Sequence, residues 1–577
     1  MCDQGGREVW STDIKGITSC SDPPILTIYG KALSWQGSTV LIRPTSSSLP
    51  TDYGLCQSRR QRDNEPTHCG ILHTAASPLF ANFPLDRQML DCQNAGPLLC
   101  YMALVISGMS AYDGGGTNGL GCLAQIAEKA NIDYVVLDKG IVAPPFGTTI
   151  TMQPHGCRIL DQLGCLDAVL SQCSTMKGCS CRTSTGKVYA ENRFFEVIQQ
   201  YTCTLDRRVF LRTLYNQLRD KSKVLERCRV ENIIEETGIV KVLLADGTEH
   251  VGNLVVGADG VHSKVRELMW DKANRAIPGS ISAAEKRSMA TTYNALIAMC
   301  PPVPGLSKHD MEITSAHCKL PEAKRYRWPN RGKYTEEEME ALASKLADCP
   351  VTETVLFGEL WRSRTKGQLI SLEEGVLKHW FFGRIVLAGD AIHKITPNSA
   401  LGGCTAMESV VSIANAIHGL VHAHPNKEPS DVEIRDALQH YQDSRLDRVK
   451  GIVEFGAKMT RLQAYDGWWN YITQRWITPV IGLDCLARDA SRLFSGTPKL
   501  NYVPFEGKAG KLGWNEDSTT RLTRSPGKKA ARGGRALKRI LPVVVGTLML
   551  LSSTLWWVIS GDMRHASAGF GAFIKFA

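Results

Sequence analysis

The 577 residues are long for one domain and give ample length for a large core, so two lobes with appendages are expected. Nineteen cysteines scatter without paired spacing, and Cys179-Ser-Cys181 is no zinc pair, which argues against a disulfide scaffold or metal centre and for thiols in a reducing compartment. The formal charge of +10 does not indicate nucleic acid, because eight uncompensated cations fall between Arg521 and Arg539 and the remainder is near balance.

Residues 1–100 open without an apolar run, so no secretory signal is expected. They are rich in Ser, Pro and Cys without sustained period, and the expectation is a poorly structured extension. A nucleotide-binding unit follows over 101–290. Ala103 to Ser107 (ALVIS) reads as a first strand, Gly114, Gly116 and Gly119 fit G-x-G-x-x-G, and Leu120 to Lys129 continues as a helix. Tyr134 to Leu137 then forms a second strand ending in Asp138, where an acid can bind both hydroxyls of an adenosine ribose. Between ALVIS and the glycines lie Gly108 to Asp113, so either Met109 to Asp113 supplies an irregular strand or an insertion displaces it.

Three Asp-containing turns read differently. Ala245-Asp-Gly247 joins two short alternating runs and is a plain hairpin, whereas Ala258-Asp-Gly260 follows the apolar strand Leu254 to Val256 and opens a helix. The third ends the apolar run Arg384 to Ala388 at Gly389-Asp390. There Asp390 can accept hydrogen bonds, and Gly402-Gly403 opens a helix with Ala406, Val410, Ile413 and Ala414 at helical spacing. Such a helix start suits a delocalised anion.

Residues 291–375 are expected to form a substrate lobe, with a strand from Thr291 through Tyr293 and a helix from Tyr334 to Ala347. Residues 376–513 complete the first domain with further helices. Within them the aromatic stretch from Trp468 reads as interfacial or lobe-packing, and core packing is the expectation. Residues 514–539 form a basic linker. Ile540 to Ile559 is uncharged and about 20 residues long, enough to span roughly 30 Å of hydrocarbon. It reads as a membrane anchor with the lobes cytosolic; Pro542, Gly546 and several hydroxyls weaken the segment and make a buried core helix the alternative.

The string from Gly389 resembles the second flavin motif of the group A FAD-dependent monooxygenases, GDAxHxxxPxxGxGxxxAxED, with Asp390, His393, Pro397, Gly402, Ala406 and Glu408 in place; Ala400 and Ser409 depart from it. GADGxxSxVR is matched by Asp259, Gly260, Ser263 and Arg266. The resemblance implies a Rossmann-like α/β FAD domain interleaved with a mixed-sheet substrate domain. It implies that Asp390 binds the ribityl chain and that the helix start at Gly403 meets the flavin ring. A backbone turn near Thr151 would pass the flavin, Arg207 would lie near the pyrophosphate, and the motif around Asp259 would contact FAD and NADPH. Strings such as HKITPNSALGG and FGELWRSR are similar to the fungal membrane-anchored branch acting on meroterpenoids and indole diterpenoids. That implies NADPH-driven reduction of FAD and transfer of one oxygen from O₂ to an alkene of a small apolar prenylated substrate, at a membrane, with the endoplasmic reticulum's as the expectation. Ring hydroxylation and a flavin-binding pseudoenzyme are the alternatives. Tyr293 has two readings, a catalytic group beside the substrate or a core tyrosine with a satisfied hydroxyl. Relatives carry an aromatic strand pair where this chain has only Ser307 to Lys319, so part of the substrate-facing sheet is expected to be missing.

Overall fold

The computed structural model describes residues 26–28, 33–35, 38–40, 104–108, 117–144, 149–193, 202–306, 310–314, 325–423, 427–481, 492–505, 507 and 513–515. The chain divides into two units, 1–514 and 515–577, and the elements below all belong to the first. Gly114, Gly116, the basic linker and the apolar segment 540–559 lie outside the described residues.

In chain order, the elements that position the site are β1 (Leu104–Gly108), α1 (Thr117–Lys129), β2 (Tyr134–Asp138), β3 (Thr149–Met152), α2 (Pro154–Leu163), β4 (Cys203–Asp206) and α3 (Arg207–Asn216). They continue with β5 (Leu254–Gly257), α4 (Lys264–Ala276), β6 (Ala290–Met299), β7 (Lys366–Val376), β8 (Ile385–Leu387), α5 (Gly402–Ala423) and α6 (Asp431–Gln463). The main sheet runs Val224–Leu225, β2, β1, β5, β8, Phe381–Phe382, parallel except for the last strand. Val255, Val256, Ile385, Val386 and Leu387 are at most 1% exposed, which is why these short runs are apolar without alternation.

ALVIS is thus the central strand, displaced by one residue from its expected bounds. From β1 the chain passes first to β2 on one side and later to β5 on the other. The carboxyl ends of all five parallel strands therefore meet at one edge around a change of direction, the place where such sheets take ligands. Across it lies α5, packed on α1, α2 and α6. Among the described residues it is the one helix long and apolar enough to cross a membrane, but Met407, Val410, Val411 and Ile413 are wholly buried in the core.

The second lobe holds the antiparallel pair β6 and β7, with a register shift between Thr291 and Tyr293. A further sheet has the order Leu26–Ile28, Asp310–Thr314, Gly178–Arg182, Val188–Asn192. Two expectations change here. The segment after Ser307 does supply a strand, and its antiparallel partner comes from residues 26–28 of the supposed extension, with a hairpin of Leu33–Trp35 and Ser38–Val40 following. Pairing over nearly 300 residues leaves no local period to read. The aromatic stretch is also different: Trp468, Trp469 and Trp476 are 70%, 55% and 60% exposed, so they do not pack in the core.

Candidate functional site

Three charged residues far apart in sequence converge at the carboxyl edge of the sheet. Asp138 ends β2 at 5% exposure and accepts a hydrogen bond from the Gly140 amide at 2.8 Å. Burial pushes its carboxyl up to about 6, against the lowering effect of that amide, Lys139 and Arg207. Arg207 opens α3, whose cap is Asp206 accepting from the Arg208 amide at 2.7 Å. Its guanidinium is 5% exposed; burial draws it down to about 10, while Asp390, Asp138 and Asp206 favour its charge. Asp390 is 4% exposed and pairs with Lys394 at 2.5 Å. The three side chains thus form an alternating acid–base–acid set. Beside β2 opens a cleft of about 570 Å³ lined by Val142, Arg212, Tyr215, Leu225 and Glu226.

The turn from β8 to α5 is built tightly. Gly389 has φ +60°, and a Cβ there would sit 3.0 Å from that of Ala406, so turn and helix touch. Ala400, where the flavin motif has glycine, has φ +55°; the left-handed conformation is kept at a cost of about 1 kcal/mol. Asn398 bonds Gln463 at 2.8 Å and accepts from Thr460 at 2.9 Å, tying the turn to α6. Gly402 and Gly403 open α5; a Cβ at Gly402 would meet nothing within 4 Å, and the first turn carries no acidic side chain. A bare positive helix end therefore faces open space.

The helix itself is pinned by Glu408, wholly buried and bonded by Arg445 at 2.5 Å, Arg448 at 2.7 and 2.8 Å and Thr497 at 3.1 Å. Burial pushes the Glu408 carboxyl up, but the two guanidiniums outweigh it and hold it well below the usual range. This cluster was not legible as a unit, since Arg445 and Arg448 read as part of an ordinary charged helix.

The other expected residues have different partners. Asp259 is 4% exposed, and its carboxylate accepts from the Ser263 hydroxyl and from the amides of Lys264 at 2.7 Å and Val265 at 3.1 Å. It is thus occupied by the start of α4. Arg266 then donates to the carbonyls of Ala391 at 2.9 Å and Val261 at 2.6 Å, joining this turn to that of Asp390. Thr151 lies within β3, where a turn was expected, with its hydroxyl 3.0 Å from that of Thr204 on β4. Gly119 lies in the first turns of α1. Tyr293 is 2% exposed among Met176, Cys181, Ile313 and Leu372, and donates to Asp466 at 3.1 Å. Sequence reasoning missed Asp466. It sits between Tyr465 at φ +44° and Gly467 at φ +93°, and the Asp-Gly pair closing a long helix was its only local signal.

This donor set fits FAD. A buried acid at the end of the second strand suits the adenosine ribose, a buried guanidinium between two carboxylates suits the pyrophosphate, and a bare helix start suits the anionic edge of the ring. Comparison with known proteins agrees. Residues 114–455 match the FAD binding domain family. The FAD-dependent monooxygenase DEP2 of Alternaria brassicicola is 53% identical over 498 residues, covering 79% of this chain and 94% of that one. Its namesake in Fusarium langsethiae is 58% identical, covering 70% and 82%. FAD-dependent monooxygenase penE of Penicillium thymicola is 30% identical, covering 71% and 90%. Among solved structures, Klebsiella pneumoniae HpxO complexed with FAD and uric acid shares the fold at a TM-score of 0.53 and 17% identity, covering 70% of this chain and 99% of that one. With its sheet edge, buried charge set and helix start where FAD requires them, the chain belongs to the FAD-dependent monooxygenases, in a branch that includes these fungal enzymes.

Proposed function

We propose that the chain uses NADPH and O₂ to epoxidise an alkene on a small apolar, prenylated intermediate of the meroterpenoid or indole-diterpenoid kind. Bound FAD would supply the hydride acceptance and oxygen activation; the protein binds, orients and excludes water. The observation that carries the reading is the apolar interior of the substrate lobe around Tyr293, where Met176, Cys181, Ala295, Ile313 and Leu372 are buried together. Electrophilic transfer to an isolated alkene needs no base, and an apolar wall suits both a prenyl chain and the exclusion of water. Tyr293, held by Asp466, would orient the substrate. Support for NADPH is a narrow pocket beside the Asp259 turn containing Arg266, Lys286 and Arg327, cations suited to phosphates, with Glu373 and His262 also in its lining. Lys286 stands 5.6 Å from each of the Trp270 and Trp328 rings.

Residues 540–559 would tether the enzyme to a membrane, with the lobes on the cytosolic side as the adjoining cations direct. A second reading, ring hydroxylation, is favoured by the Asp466 carboxylate, which could accept a phenol proton relayed through Tyr293. The test is the product from a prenylated aromatic with NADPH and O₂. One oxygen gained on the prenyl chain is expected; oxygen on the ring would assign the second reading. FAD-loaded protein without oxygen-dependent NADPH consumption would contradict both.

A further inference from the structure

Seven of the tryptophans among the described residues divide sharply. Trp270, Trp361, Trp380 and Trp514 are at most 5% exposed, whereas Trp468, Trp469 and Trp476 are 70%, 55% and 60% exposed on one short stretch. The stretch runs Trp468–Ile472, a π-helical turn Thr473–Ile477, and Thr478–Ile481. Its inner side is fixed to the substrate lobe: Gln474, 5% exposed, donates to the Tyr189 hydroxyl at 2.9 Å, and Asn470 donates to the Asp466 carbonyl at 2.6 Å. The Arg475 guanidinium lies 5.1 Å from the Trp476 ring and 5.4 Å from that of Tyr189. Three indoles turned to solvent cost hydration that a soluble surface does not repay.

We infer that this aromatic face docks on a phospholipid bilayer and places the substrate lobe against it. Indoles combined with a cation are the composition of the membrane–water interface, where the ring is buried and its N–H stays wet. The sequence says where that bilayer would be. Beyond Trp514 the stretch from Arg521 to Arg539 holds eight cations without an acid, and 20 uncharged residues come after it. The 25 residues between Trp514 and Ile540 can extend to roughly 85 Å, so a tether there confines the unit without orienting it. A second, weaker contact then acts at high effective concentration and fixes the orientation. Trp468 is two residues from Asp466, which holds Tyr293, so the docked face adjoins the wall assigned to the apolar substrate. The inference deepens the membrane reading above but uses a surface separate from the tether.

The test uses the full chain with Trp556→Phe and Trp557→Phe in phosphatidylcholine–phosphatidylserine vesicles, with acyl chains brominated or not. Bromine should quench tryptophan emission, and adding Trp468→Phe, Trp469→Phe and Trp476→Phe should remove at least half of that quenching while bound FAD absorbance is unchanged. If the vesicles carry the chain but the three substitutions leave quenching unaltered, the face is overturned and the tether stands. If Trp468→Ser, Trp469→Ser and Trp476→Ser together abolish flotation with residues 540–559 intact, the face stands and the tether reading falls. A concentration-dependent dimer dissolved by the serine substitutions, without quenching by bromine, would assign the face to a second copy and overturn docking on lipid.

Discussion

Asp259 and Asp390 follow neighbouring parallel strands at one sheet edge, yet their carboxylates serve different ends. Asp259 is two residues past β5, and the helix that follows immediately presents a hydroxyl and two amides to it. Asp390 is three residues past β8, and its helix starts only at Gly402; it meets Lys394 and the buried Arg207 instead of that helix's amides. The spacing between strand end and helix start therefore decides whether such an acid caps the fold or is left to partners from other elements. Asp246 marks a third outcome, accepting from the Thr248 amide at 2.9 Å within a hairpin. The Arg266 bond to Ala391 shows that the capping acid still shapes the other turn indirectly.

The division predicts two kinds of damage. Largest should be Glu408→Ala, which leaves Arg445 buried without its carboxylate and should cost about 3 to 5 kcal/mol in denaturant unfolding of the apoprotein. An unchanged midpoint would show that the cluster does not hold α5. Asp259→Ala removes the acceptor of three bonds and should cost about 1 to 3 kcal/mol of stability, with FAD affinity of the folded fraction nearly preserved. Smaller is a pH effect at Asp138. Its carboxyl is raised to about 6 in the folded chain, so it is charged above that pH and protonated below. Ribose hydroxyls donate best to the charged form, so FAD affinity should fall as pH drops through about 6, by up to about tenfold per unit. Asp138→Asn should bind FAD more weakly at pH 7 and flatten that dependence; titrations at pH 5 and 7 would decide.

Much of the nucleotide-binding half was legible because its signals are local. The apolar runs of β1, β2 and β8, Asp138 at a strand end and the glycines before α5 lie within single short stretches, and Arg207 and Asp390 stood out by resemblance. What was illegible depends on distant partners. Residues 26–28 form a strand only because Asp310–Thr314 offers an edge, and Trp468 and Trp476 point outward because Gln474 takes the inner side. Asp466 could not be paired with Tyr293 across 173 residues from periodicity alone. The different partners of Asp259 and Asp390 are likewise a matter of three-dimensional donors, although the later helix start after Asp390 was already visible in the sequence.

The most direct measurement is a flavin-fluorescence titration of FAD into the wild-type apoprotein, Asp390→Ala and Asp259→Ala, each corrected for its folded fraction. If the cofactor lies at the edge shared by Asp138, Arg207 and Asp390, Asp390→Ala should weaken binding about tenfold or more, the worth of one charge-assisted hydrogen bond, and Asp259→Ala by less than about threefold. Equal losses, or the reverse order, would contradict the placement of FAD at that edge.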